Sequence, residues 1–281
     1  MAEVPVLEVQ DLHFRYPGAP EDALRGISLR IAPGEMVALI GQNGAGKSTL
    51  ARHFNGLLRP TAGRVLVGGR DAAGLKVSAL ARHVGYVFQN PDHQIFHDTV
   101  AGEVAFGLRN LGVPRTEIRE RVAAALEFVG LNGTEETYPF ELSKGQRQRL
   151  ALAAVLAMRT GVIVLDEPTT GQDYRESRQI MDRVKELNEA GHTIVFITHD
   201  MELVARYAAR VVVLGQGRVP ADGGVREVFA RPEVLRLTDL RPPDITRLAQ
   251  RLNRPEIPRD VLLVEEMACV LRSLAVGGDA A

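Results

Sequence analysis

An α/β fold with a mostly parallel central sheet is predicted by three observations. Apolar runs without alternation, "MVALI" (36–40), "VIVLD" (162–166) and "TIVFIT" (193–198), read as strands buried on both faces. Between them lie stretches whose apolar residues recur at helical spacing. The first of these strands enters a helix through the glycine-rich turn "GQNGAGKST" (41–49). Strands alternating with helices imply crossover connections and parallel pairing, with ligands bound beyond the carboxyl ends of the strands.

The elements follow in order. "LHFRY" places Leu12, Phe14 and Tyr16 on one face, and "ISLRI" does the same for Ile27, Leu29 and Ile31, so the chain opens as β structure. "APGE" is a turn into "MVALI". From Lys47 to Leu58 a helix is expected, with Leu50, Phe54, Leu57 and Leu58 on its apolar face. "GYVF" (85–88) is a short strand ending at Gln89. Ile118, Val122, Ala125 and Val129 mark a helix that stops at Gly130, and another runs from about Arg175 to Ala190, closing on Gly191. "VVVL" (211–214) is a further strand.

After about Pro220 the texture changes. Prolines at 232, 242, 243, 255 and 258 divide the chain into short amphipathic pieces such as "DITRLAQRL" and "VLLVEEMACVLRSLA". Residues 1–225 are therefore read as the domain that carries the chemistry. Residues 226–281 are read as a small helical appendage, ending in a frayed tail, "VGGDAA".

Composition bounds the function. The 281 residues are 45% apolar and 25% charged, enough to bury a sizeable core. Lys and Arg total 34 against 35 acidic residues, a balance that gives no sign of a nucleic-acid scaffold but leaves open a local site for a small anion. Cys269 is the single cysteine, so no internal disulfide forms, in keeping with a reducing cytosol. "MAEVPVLEVQ" lacks the basic and apolar regions of a signal peptide, and no run of eighteen apolar residues occurs. Work at a membrane would need a partner to hold the protein there.

"GQNGAGKST" fits G-x-x-x-x-G-K-[ST], with a strand before it and a helix after it. Gly41, Gly44 and Gly46 allow the backbone to turn N–H groups inward around phosphate oxygens, and the helix from Lys47 adds its positive end. Lys47 is placed to reach β- and γ-phosphates, and Ser48 to offer a hydroxyl to Mg²⁺. In "VIVLDEP" (162–168), Asp166 ends a buried strand where it can hold Mg²⁺ through water, and Glu167 beside it can polarise an attacking water. His199 ends "TIVFITHD". Alone it reads as a surface or capping residue; its strand points at the same site, which favours a contact with the γ-phosphate and the water.

"ELSKGQRQRLALAAVLA" (141–157) opens with Ser143 and Gln146 spaced as a capping box. The ordered set of "GQNGAGKST", Gln89, "LSKGQ", "VIVLDEP", "GQD" and His199 resembles the ATP-binding cassette (ABC) ATPases over about residues 6–220. The resemblance implies a P-loop ABC ATPase fold: an antiparallel β subdomain, a mostly parallel core sheet and a helical signature subdomain. It implies two subunits, homo- or heterodimeric, enclosing two ATP molecules with Mg²⁺. Phosphates would lie on Gly41, Gln42, Asn43, Gly44, Ala45, Gly46, Lys47, Ser48 and Thr49, with Tyr16 stacked on adenine. Gln89 would join Ser48 and Asp166 near Mg²⁺ and approach the water. Ser143, Gly145 and Gln146 would meet the partner's nucleotide, and Asp173 would belong to the loop connecting the two sites. Lys144 replaces the first glycine of the common LSGGQ, and Gln172 stands where leucine is usual. Whether Lys144 faces a phosphate or solvent is open at this level.

"FQNPDHQIFHDTVAGEVAFGLRNLG" is similar to the matching segment of energy-coupling-factor (ECF) transporter ATPases, as are "LRPPDITRLAQRL" and "LLVEEM". In that family the segment forms a groove for a cytoplasmic helix of an integral membrane subunit. Val100, Val104, Leu108 and Leu111 are expected to pack a helix inward, leaving Asp92, His93, Gln94 and Phe96 free near its start. An acidic and amidic rim suits an arginine-bearing helix. The expected function is the ATP-hydrolysing subunit of an ECF-type importer at the cytoplasmic face of the membrane. The rival readings are the ATPase of another ABC transporter class, a soluble ABC ATPase, and a nucleotide-dependent module that does not hydrolyse.

Overall fold

The computed structural model of the protein describes residues 4–278. In chain order it contains β1 (Leu7–Phe14), β2 (Leu24–Ile31), β3 (Met36–Gly41), α1 (Lys47–Phe54), β4 (Ala62–Val67), β5 (Arg70–Asp71) and α2 (Val77–Leu80). There follow β6 (Val84–Val87), α3 (Val100–Asn110), α4 (Arg115–Phe128), α5 (Lys144–Ala157), β7 (Val162–Asp166) and α6 (Tyr174–Glu189). The chain continues with β8 (Thr193–Ile197), α7 (Met201–Tyr207), β9 (Arg210–Gly215), β10 (Arg218–Gly224), α8 (Val225–Phe229), α9 (Pro232–Leu237), α10 (Asp244–Leu252) and α11 (Val264–Gly278).

Two sheets form. β2-β1-β4-β5 is antiparallel, and the larger sheet has the order β10-β9-β3-β8-β7-β6, parallel except for its edge strand β10. The uninterrupted apolar strands are central because both faces are covered. Met36, Ala38 and Ile40 of β3 join a core beneath the helices α3–α7, while Val37 and Leu39 join a second core shared with α1 and the antiparallel sheet. This alternation is the two-residue period of a strand applied to a sheet with two dry faces. Parallel pairing of β3, β8, β7 and β6 brings their carboxyl ends to one edge.

Several expectations change. The helix after the glycine-rich turn stops at Phe54, not Leu58: Asn55 caps it and Gly56 turns the chain at φ 74°, leaving Leu57 43% exposed. Tyr16 does not share the strand face of Leu12 and Phe14, because β1 ends at Phe14 and Tyr16 is partly exposed. β4, β5 and β10 escape the apolar pattern. β10 carries Pro220, which an edge strand tolerates because one side of it has no ladder partner.

Beyond β10 the chain is helical, as expected, but α8 and α9 are rooted in the main core through Val225, Val228, Phe229 and Leu235. α10 and α11 close a small core of their own around Ala249, Ile257, Val261 and Met267. The expected frayed tail begins inside α11, which runs to Gly278; residues 279–281 lie outside the described residues. Among the described residues no helix is long and apolar enough to cross a membrane.

Candidate functional site

At the carboxyl edge of the parallel sheet a cleft of about 440 Å³ is lined by Tyr16, Asn43, Gly44, Gly46, Lys47, Ser48, Thr49, Gln89 and Glu167, with Ala23. Gly41, Gln42 and Ala45 of the turn do not line it. Gly41 ends β3 and Ala45 is buried, so these two shape the loop from behind, while Gln42 is exposed and lends its carbonyl to Lys47. Gly46 opens α1 at φ 102°, and a Cβ there would meet the Leu24 side chain at 2.8 Å, so the turn needs glycine for both backbone and space.

Lys47 is buried, and its Nζ donates to the carbonyls of Gly41 (2.7 Å) and Gln42 (2.9 Å). Burial pushes the ammonium below its ordinary pKa, opposed by the carboxylates of Glu167 and Asp166. Asp166 ends β7 almost wholly buried. Its Oδ1 accepts from Ser48 Oγ at 2.9 Å and its Oδ2 from the Tyr86 hydroxyl at 2.8 Å. Burial raises the Asp166 pKa, while the hydrogen bonds from Tyr86 and Ser48 and the charge of Arg52 act to lower it. Burial also holds the Tyr86 phenol well above its usual range, so it remains a donor.

Glu167 is the first residue beyond β7 and has φ 49°, a left-handed backbone that is unusual for a glutamate. Its Oε2 accepts from Gln89 Nε2 (2.9 Å) and Thr170 Oγ1 (2.8 Å), with His199 Nδ1 at 3.6 Å. Three loops thus converge on one carboxylate that also faces the cleft. His199 is 68% exposed in its side chain, so it is free to swing. At the far end the Tyr16 hydroxyl bonds Thr49 Oγ1 at 3.0 Å. Its ring meets Phe14 edge-on at 4.8 Å, and Phe14 in turn packs on the buried His53. The donors at the inner end are all oxygen or amide groups. Among the described residues no cluster of three acidic, His or Cys side chains could close around a metal by itself. Such a set suits a hard cation completed by phosphate oxygens.

Ser143, Gly145 and Gln146 are not part of this cleft. They form the N-terminus of α5 as the expected capping box: Gln146 N–H donates to Ser143 Oγ (3.2 Å) and Ser143 N–H to Gln146 Oε1 (2.8 Å). Asp173 caps α6, accepting from Glu176 N–H at 2.8 Å. Lys144 faces neither the cleft nor open solvent alone: its Nζ lies over Gly171, while the Gln172 carboxamide lies over Gly145.

"QNPDHQIFH" is more tightly bound than expected. Asp92 is not a free rim carboxylate, because Arg147 donates to its Oδ1 at 2.7 Å. Gln94 turns inward: its Oε1 accepts from Phe88 N–H at 3.3 Å, and its Nε2 donates to the Ala151 carbonyl at 3.4 Å. His93 and Phe96 stay exposed, and Phe96 (59%) stands edge-on to Phe106 at 4.6 Å. Val100, Val104 and Leu108 pack inward as expected, with Leu111 just past the end of α3. Tyr86 and Thr170 carry no signal of their own in the sequence: "GYVF" reads only as a strand, and "TTGQD" draws attention to Asp173. A second cleft, about 350 Å³ between α6, α7 and the appendage, is lined by Glu202, Asp244 and Glu265 beside Arg178 and Arg206, with no glycine among its described lining residues.

The fold and this cleft define a P-loop nucleotide-binding protein. The sequence profile of the ABC transporter family matches residues 24–170, and the chain belongs to that family. A putative ABC transporter ATP-binding protein of Caldanaerobacter subterraneus subsp. tengcongensis is 49% identical over 268 residues, 95% of this chain but 46% of its own length. The chain spans about half the length of this and two further curated relatives. The energy-coupling factor transporter ATP-binding protein EcfA of Methanocaldococcus jannaschii is 47% identical over 253 residues, covering 89% of this chain and 90% of that protein. The structure of cbiO1 from Clostridium perfringens, described as part of the ABC transporter complex cbiONQ, superposes with a TM-score of 0.75 at 39% identity. It covers 88% of this chain and all of that one.

Proposed function

We infer that this chain is the ATP-hydrolysing subunit of an energy-coupling-factor-type ABC importer, held at the cytoplasmic face of a membrane by integral membrane subunits. The carrying observation is the Glu167 carboxylate, fixed by Gln89 and Thr170 in the wall of the phosphate-loop cleft. Its likeness over nearly full length to EcfA and cbiO1 supports the transporter type.

The reaction is attack of water on the γ-phosphorus of ATP. Tyr16, partly exposed and braced by Phe14, offers a face to adenine. Lys47 exchanges its two carbonyl partners for β- and γ-phosphate oxygens, whose charge also restores its pKa. Glu167 accepts the water's hydrogen bond and polarises it, while Gln89 and Thr170 hold the carboxylate in place. His199 swings to the γ-phosphate. Ser48, Asp166 and Gln89 would hold Mg²⁺, which when bound neutralises charge developing on the phosphates. Ser143, Gly145 and Gln146 act on the nucleotide of a second subunit, identical or homologous, a role their place outside this cleft supports, and Asp173 belongs to the loop that connects the two sites. His93 and Phe96 face the membrane partner directly, and Asp92 and Gln94 brace the loop that presents them.

The test measures phosphate release and ATP binding by the wild-type chain and its Glu167→Gln variant, alone and with the membrane subunits. Binding without turnover in the variant, with wild-type turnover stimulated by assembly, is the expected pattern. A wild-type chain that binds ATP and never releases phosphate in any assembly would overturn the reading.

A further inference from the structure

The mechanism leaves the buried Tyr86 hydroxyl, beside the Asp166 carboxylate, without a task. Tyr86 on β6 is 7% exposed, and its hydroxyl spends its hydrogen on Asp166 Oδ2 at 2.8 Å. We propose that Tyr86 is a positioning residue for the divalent-cation site: its phenol fixes the rotation of the Asp166 carboxylate and so sets the cation affinity of the ATP-bound protein. The inference rests on the nucleotide-binding reading above.

Strand pairing supplies the geometry. β6 and β7 run parallel with Tyr86 opposite Val164, so Asp166, two residues on, is its diagonal neighbour on the same face of the sheet. Aromatic side chains reach across that diagonal. The Tyr86 ring is itself held by Phe88, at 4.9 Å between ring centres. Ser48 Oγ approaches the carboxylate from the other side, on Oδ1 at 2.9 Å. A carboxylate gripped at one oxygen can rotate about its Cβ–Cγ bond; gripped at both, from β6 and from α1, it cannot. Each oxygen keeps a second acceptor position, so the grip orients Asp166 without saturating it.

A bland role as core filler is distinguishable. Phenylalanine would fill the same space but removes the hydroxyl that donates to Asp166 Oδ2 at 2.8 Å, a bond formed with the Arg52 side chain close by. Groups that orient metal-binding carboxylates typically change metal affinity by about 10–100-fold when removed.

The experiment uses the full chain and Tyr86→Phe. ATP affinity is measured in EDTA, and Mn²⁺ is then titrated into each protein–ATP mixture and followed by electron paramagnetic resonance. Tyr86→Met, which also removes the hydroxyl, is run in parallel and read identically. The expected result is metal-free ATP affinity within about twofold of wild type and Mn²⁺ affinity lower by about tenfold or more. In an Asp166→Asn background, adding Tyr86→Phe should produce no further loss. Val87→Ala, a core truncation on the same strand, should lower the melting temperature and leave Mn²⁺ affinity unchanged. Wild-type Mn²⁺ affinity in Tyr86→Phe, or the same loss with and without Asp166, would overturn the proposal. Failure of the wild-type chain to bind ATP either in EDTA or with Mn²⁺ present would instead overturn the nucleotide-binding reading.

Discussion

Lys144 and Gln172 cross between two loops and seat on each other's glycines. A Cβ at Gly171 would lie 2.8 Å from Lys144 Nζ, and a Cβ at Gly145 would lie 2.6 Å from Gln172 Oε1. These are the two positions that depart from the commonest pattern of the family, and the fold brings them together. Changing one alone leaves the other side chain over a loop it no longer matches. Lys144→Gly and Gln172→Leu should each lower ATP turnover by several-fold, while the double variant recovers to within about twofold of wild type. A coupling of about 0.5–3 kcal/mol is the range for residues in contact. Steady-state turnover of the four proteins closes the cycle, and simple additivity would show that the two departures are independent.

Glu167→Gln tests the water-polarising role with little disturbance of shape. The glutamine oxygen can still accept from Gln89 and Thr170, so the loops that meet there remain tied. What disappears is the negative charge that draws a proton from water. Turnover should fall by at least about 10²-fold, the lower end for loss of general base catalysis, with ATP binding retained. Phosphate release at saturating ATP measures it. A rate within tenfold of wild type would assign the base elsewhere.

What the residue pattern could convey depended on how local its physics is. β3, β7 and β8 are legible because burial on both faces writes an unbroken apolar run. β4 ("AGRVLV") and β10 ("RVPADGG") are half exposed and interrupted by glycine or proline, so no period marks them. The phosphate loop is legible because one short segment carries the backbone turn, the lysine and the hydroxyl. Tyr86 is not, since its bond to Asp166 depends on which strands become neighbours, and the local sequence does not state that. The Asp92–Arg147 pair spans 55 residues for the same reason, and a carboxylate read as free turns out to be internally paired.

The separation of Ser143 and Gly145 from the phosphate-loop cleft predicts complementation between damaged subunits. Lys47→Ala removes the phosphate contact of one half-site, and Ser143→Arg blocks the other half with a bulky cation. In homodimers each variant alone should be inactive. Equal mixing should restore up to about one quarter of wild-type activity: half of the random dimers are mixed, and each has one intact composite site of two. Turnover of the mixture, with mixed dimers verified by mass spectrometry, gives the answer. Mixed dimers without recovery would show that each subunit works with its own Ser143.

Phe96 carries the strongest case for contact with a membrane partner. It is 59% exposed although its neighbour Ile95 is buried, and its ring stands edge-on to the partly exposed Phe106. Its backbone is not loose. The N–H groups of Phe96 and His97 both donate to the buried Glu103 at 3.0 Å, and Thr99 caps α3 directly behind. A large apolar side chain held out from a rigid backbone is the arrangement of an interface anchor, and truncating such anchors typically costs about 2 kcal/mol or more in binding. Phe96→Ser should therefore weaken assembly with the membrane subunits by about thirtyfold or more, a factor equivalent to that cost. ATP affinity of the separate chain should not change, since Phe96 is absent from the cleft lining. Asp92→Arg is the less selective variant, because it also sets a cation against Arg147 and loosens the turn from within. Co-purification and ATP titration of both variants distinguish the cases. If Phe96→Ser assembles normally and loses ATP affinity, the segment serves the nucleotide site and the groove reading falls.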